Sequence, residues 1–112
     1  MTERDFQRSA CQYLSLALRP YGAWVGAIPG GDGKMTLAPG YVRGSPDLLC
    51  ILRGRAVLIE LKTKKGVVKK HQEAVHADLE NAGADVFVAR SMDDLVGIVN
   101  ALKVGRAGVG VG

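Results

Sequence analysis

The sequence predicts an α/β domain in which a mixed β-sheet is flanked by helices, in the order α-β-β-β-α-β-α. Three observations carry that expectation. Apolar residues recur at helical spacing in three stretches, near residues 3–18, 68–81 and onward from Ser91. Four short apolar runs rich in Val, Ile and Leu fall at 23–28, 48–52, 56–62 and 85–90. Gly, Pro, Asn and Ser punctuate the joins. A mixed sheet covered by helices is how such an order buries its apolar faces.

Taken in turn, Phe6, Ala10, Cys11, Leu14, Ala17 and Leu18 form the stripe of the first helix, with Thr2 as N-cap and Pro20 and Gly22 ending it. Ala23 to Ile28 follows as a strand, and Trp24, Tyr13 and Tyr21 are expected at the core or its edge. The Pro29-Gly30-Gly31-Asp32-Gly33 run and the segment from Lys34 to Gly44 read as a long loop. Gly30 to Lys34 tempts a phosphate-loop reading but fails it, because Ile28 stands at the first glycine of GxxxxGK and Met35 at the Ser or Thr. Leu48–Leu52 and Ala56–Lys62 read as a hairpin around Arg53-Gly54. Val68–Asn81 is the second helix, stopped near Gly83. Asp85–Arg90 is the last strand, and Ser91 opens the last helix, whose buried side holds Leu95, Val96, Ile98, Val99 and Leu102. The expected organisation is one domain over 1–104 and a flexible glycine-rich tail over 105–112.

With 112 residues, 47% of them hydrophobic and 23% charged, the chain suits one modest core rather than a disordered segment. Cys11 and Cys50 sit in apolar patterns without CxxC or zinc-ligand spacing, so free buried thiols are expected. No apolar run is long enough for a bilayer, and a reducing, cytoplasmic setting fits. The net charge of +4 is a modest attraction to polyanions, concentrated in Lys62, Lys64, Lys65, Lys69 and Lys70.

The chemistry-bearing residues lie around the hairpin. On the strand 56–62, alternation sets Val57, Ile59 and Leu61 on one face and Glu60 and Lys62 on the other. A two-residue turn pairs Leu52 with Arg55, and the same register carried to the strand ends sets Asp47 opposite Glu60, with Cβ atoms ~5 Å apart. Two carboxylates so close need a proton or a cation between them. Hard oxygen donors of this kind suit Mg²⁺ or Mn²⁺, with the Leu61 carbonyl as an added ligand. Lys62 beside them is placed to serve an attacking water or a charged transition state. A salt-bridged cluster without catalysis is the alternative.

Gly44-Ser45-Pro46-Asp47, Glu60-Leu61-Lys62, Gly66 and Gln72 resemble the signature of the VRR-NUC family, within the PD-(D/E)xK (restriction-endonuclease-like) nuclease superfamily. The resemblance runs from about Glu3 to Leu102. It implies a restriction-endonuclease-like core and a Mg²⁺- or Mn²⁺-dependent DNA endonuclease. Asp47 and Glu60 would hold metal, Lys62 would serve the water, Gln72 would line the site, and Glu3 matches a glutamate often found in the family's first helix. Branched DNA such as Holliday junctions is the implied substrate, and a homodimer the implied assembly. Two departures stand out: Pro29-Gly30-Gly31-Asp32 lacks the family's asparagine, and Val67-Val68 stands where a capping side chain usually precedes the second helix. Arg43, Lys64, Lys65, Lys69 and Lys70 are the candidate phosphate contacts, joined by Tyr41 and His71. The competing functions are a catalytically inactive DNA-binding module of the same fold and a structural interaction protein.

Overall fold

The computed structural model describes residues 2–29, 39–40 and 42–109, the side chains of 104–109 excepted. Gly30–Lys34 and Tyr41 lie outside the described residues, as does most of the expected long loop. The described elements follow the expected order: α1 (Glu3–Leu18), β1 (Trp24–Ala27), β2 (Leu48–Leu52), β3 (Arg55–Leu61), α2 (Lys70–Asn81), β4 (Asp85–Ala89) and α3 (Met92–Val109), with a 3-10 turn at Arg19–Tyr21 after α1.

Thr2 caps α1: its Oγ1 accepts from Asp5 N–H at 3.1 Å, and the Asp5 carboxylate accepts from Thr2 N–H at 3.4 Å. That hydrogen bonding holds the Asp5 carboxyl below its ordinary range. The hairpin turn has positive φ at both Arg53 (52°) and Gly54 (80°), the backbone a two-residue turn with right-handed strand twist requires. Arg53 accepts a conformation that usually goes to Gly or Asn, and its guanidinium lies 5.9 Å from the centre of the Tyr21 ring.

The sheet order is β1-β2-β3-β4, antiparallel except for the parallel β3–β4 pair. The β2–β3 register is the expected one, from Leu52 opposite Arg55 to Leu48 opposite Ile59. The sheet has two differently used faces. Leu48, Cys50, Leu52, Val57 and Ile59 meet Phe6, Ala10, Leu14 and Leu18 of α1 and Leu95, Ile98, Val99 and Leu102 of α3 in the main core. Alternation turns Asp47, Leu58, Glu60 and Lys62 to the opposite face, where α2 lies. Cys11 and Cys50 are free thiols; burial raises both pKa values, that of Cys50 to about 11.

Three sequence expectations change. The second helix begins at Lys70 rather than Val68, because the Gln72 side chain closes the turn one residue before it (below). Trp24, expected at the core or its edge, is 58% exposed: it stands on the edge strand, with its ring so close over Gly26 that a Cβ there would meet it at 2.3 Å. Val96, expected on the buried side of the last helix, is 41% exposed, and that helix runs to Val109. A helical glycine costs only about 1 kcal/mol relative to alanine, and the segment holds no proline to stop the helix. Among the described residues, no helix is long and apolar enough to cross a membrane.

Candidate active site

One end of the sheet gathers the chemistry. Asp47 sits just before β2, and its backbone carbonyl accepts from Ile28 N–H at 2.8 Å, extending the β1–β2 pairing. On its other side, Oδ2 accepts from Leu61 N–H at 2.7 Å. The carboxylate thus takes the place of a ladder carbonyl at the point where β2 and β3 part. Glu60 and Lys62 come from the end of β3, and Lys62 N–H donates to the Ala89 carbonyl at 2.9 Å, fixing its backbone to the end of β4. All three residues therefore rest on paired strand ends rather than on free loops.

Asp47, Glu60 and Lys62 line a common cavity of about 370 Å³ together with Glu3, Leu61 and Gln72. The structure thus brings together every residue that the sequence put forward for catalysis or metal binding. Glu60 is 3% exposed. A buried carboxylate is tolerated only with compensation, and part of it comes from α2: His76, itself 9% exposed, has Nε2 at 3.3 Å from Glu60 Oε1. Burial lowers the His76 pKa against the raising effect of Glu80. Against an ionised Glu60, which only accepts, the ring presents an Nε2–H.

Gln72 links the start of α2 to Lys62. Its Oε1 accepts from Lys69 N–H at 2.9 Å and from Lys62 Nζ at 2.9 Å. The first bond satisfies a helix N-terminal donor from the N3 position, so the helix missing a capping side chain at Val67-Val68 is started by glutamine instead. The second holds the ammonium on a neutral oxygen, which leaves its charge uncancelled by that partner. Gly44 permits the approach of this helix: its φ is +95°, and a Cβ there would meet the His71 carbonyl oxygen at 2.9 Å.

The loop between β3 and α2 is tied down by Arg90, whose Nη1 donates to the carbonyls of Thr63 (3.0 Å) and Gly66. Sequence reasoning did not assign Arg90 or the His76–Glu60 contact. Position 90 is one of many surface-compatible arginines, and residues 60 and 76 come together only through the packing of α2 on the sheet. Of the candidate phosphate contacts, Lys69 lines the cavity, Arg43, Lys64, Lys65 and Lys70 are exposed nearby in sequence, and His71 is half-buried.

No family model matches the chain, and no curated protein does. A solved structure described as a "VRR_NUC domain" superposes with a TM-score of 0.61 at 25% sequence identity, covering 84% of this chain and 94% of that one. The chain is thus similar to a VRR-NUC domain, a likeness that supports placing it within the PD-(D/E)xK superfamily. The VRR-NUC likeness accounts for the α-β-β-β-α-β-α order and the restriction-endonuclease-like sheet, and a nuclease-like fold follows from it. Among the described residues, no group of three or more His, Cys, Asp and Glu side chains is placed to hold a metal ion. The oxygen donors in the cavity include two carboxylates, those of Asp47 and Glu60, beside the Leu61 backbone. That set has the all-oxygen chemistry of a Mg²⁺ or Mn²⁺ site and not that of zinc.

Proposed function

We propose that the chain is a divalent-metal-dependent DNA endonuclease that hydrolyses phosphodiester bonds. The observation that carries the reading is the meeting of Asp47, Glu60 and Lys62 in one cavity, with Lys62 Nζ held by the Gln72 side chain. The like-charged pair of carboxylates, Glu60 buried and Asp47 half-buried, fits a hard cation, Mg²⁺ or Mn²⁺, with Asp47, Glu60 and the Leu61 carbonyl as its holders and Glu3 at the rim. When bound, such a cation supplies Lewis acidity toward a phosphoryl oxygen and a water molecule.

The chain's own residues do the rest. Asp47 is fixed by Leu61 N–H, which holds its carboxylate in place while strand pairing ends beside it. Glu60 is held from α2 by His76. Lys62 brings a positive charge to the reacting phosphate and is placed to orient the attacking water, with Gln72 setting its direction. Lys64, Lys65, Lys69, Lys70 and Arg43 position the DNA backbone electrostatically, with His71 and, from outside the described residues, Tyr41 as further candidate contacts, and none of these contacts needs to read a base.

Branched DNA, including four-way junctions, is the proposed substrate class. A homodimer is the proposed assembly, because one small domain offers one cutting site and symmetric incision needs two. Incubation of linear, flapped and four-way DNA with Mg²⁺, Mn²⁺ or EDTA tests the reading. Metal-dependent incision lost in Lys62→Ala is expected. Tight DNA binding with no incision in either metal would replace the enzyme by a DNA-binding module.

A further inference from the structure

A second cavity, of about 440 Å³, adjoins the first on the α1 and α3 side of the sheet end. Glu3, Lys62 and Thr63 line both, so the two spaces share a wall that carries the proposed reactive lysine. The second space has a different character. Phe6 and Met92 give it an apolar surface, while Lys62, Lys64 and Arg90 bring three positive charges against the single carboxylate of Glu3. Thr2 and Ser91, which line it as well, accept the Asp5 and Asp94 N–H groups through their hydroxyl oxygens, and a hydroxyl that accepts still carries a hydrogen to donate. The Arg90 bonds to Thr63 and Gly66 run from Nη1 alone, and they hold the guanidinium in place as a fixed charge on the wall.

An apolar and aromatic surface with cations and hydroxyl donors around it is the chemistry that takes a nucleobase and its phosphate together. The volume is in the range of small-ligand sites. We propose that this cavity binds the nucleoside next to the phosphate held in the first cavity, with its base against Phe6 and Met92 and its own phosphate near Lys64 and Arg90. The proposal rests on the nuclease reading for the neighbouring phosphate, but the cavity's binding chemistry stands apart from cleavage. The partner is therefore a nucleotide of a DNA strand unpaired at this point, since a base inside a duplex stack has no face to offer a side-chain wall. That gives a physical ground for preferring branched or frayed DNA.

Met92 makes the site observable, because the chain has only two other methionines, Met1 and Met35. Protein labelled with ¹³C at the methionine methyls is titrated with deoxyadenosine monophosphate, deoxyribose 5-phosphate or inorganic phosphate in EDTA, where no cleavage interferes. Met92→Leu assigns the resonance. The nucleotide is expected to shift Met92 saturably through the ring current of its base. Deoxyribose 5-phosphate is expected to bind about tenfold more weakly, without that displacement. Ser91→Trp, which fills the space, abolishes the response, and Lys64→Ala, an exposed change, weakens both phosphorylated ligands alike. A Met92 signal unmoved by the nucleotide overturns the proposal. So does an equal affinity for deoxyribose 5-phosphate, which would make the cavity a simple anion site. A Met92 response in a protein that cuts no DNA would keep the nucleoside site and remove the nuclease reading, and cleavage with a silent Met92 would do the reverse.

Discussion

Asp47 has two separable duties, and a pair of substitutions tells them apart. Its Oδ2 closes the β2–β3 ladder by accepting from Leu61 N–H at 2.7 Å, and its charge contributes to the proposed cation site. Asp47→Asn keeps an acceptor oxygen in the same place and loses the charge. Asp47→Ala loses both and leaves a part-buried N–H to find water. Both variants equally relieve any repulsion from Glu60, so the difference between them isolates the hydrogen bond. Such a bond contributes about 1–2 kcal/mol at a part-buried position. For a domain of this size the alanine variant is expected to melt roughly 4–10 °C below the asparagine variant in EDTA. Both are expected to lose cleavage and Mn²⁺ binding, read by single-turnover incision and by calorimetry. Equal melting of the two variants would refute the ladder role. An asparagine variant that cuts at the unmutated rate would refute the metal role.

The remaining expectations are quickly stated. Gln72→Ala removes the acceptor shared by Lys69 N–H and Lys62 Nζ, and is expected to cost about 1–2 kcal/mol in a urea melt and at least tenfold in incision rate; Gln72→Glu keeps the helix start and restores stability. Gly44→Ala forces a side chain onto a φ of +95° and against the His71 carbonyl, so it is expected to destabilise by about 1–3 kcal/mol in the same melt. Burial raises the Cys50 pKa to about 11 from 9.0, so the unfolded chain ionises first; the stabilisation is complete below pH 9 and lost as pH rises toward 11, by about 3 kcal/mol, and Cys50→Val is expected to flatten that part of an alkaline denaturation profile. If Lys64, Lys65, Lys69 and Lys70 contact phosphates, the logarithm of the DNA association constant should fall against log salt with a slope of about −3 to −4, and a flat plot would remove them from the interface.

The parts of the fold legible in the sequence were those written in periodicity. The stripe from Phe6 to Leu18, the alternation along 56–62 and the two-residue turn at Arg53-Gly54 fix faces and register locally. The meeting of Asp47 with the end of β3 follows from that register. What periodicity does not encode is the geometry across layers. Glu60 meets His76 and Lys62 meets Gln72 only once α2 is laid on the sheet, and no pattern along the chain announces the angle at which it lies. The start of α2 was misplaced for the same reason: its first turn is closed by the Gln72 side chain from inside the helix, while the residues before it carry no capping signal. Trp24 misleads because a large aromatic in an apolar run reads as core, although a strand at the sheet edge, with Gly26 beneath the ring, leaves it outside.

The two bonds to Gln72 Oε1 also constrain how this chain can change its length. Residues 63–68 form an exposed or half-exposed connection of the sort that ordinarily absorbs insertions. Here one oxygen at residue 72 must reach both residue 69, just behind it, and residue 62, at the end of the preceding strand. A residue added or removed between those anchors would turn or slide the helix and take the amide away from the lysine, so this connection should hold its length more strictly than its exposure suggests.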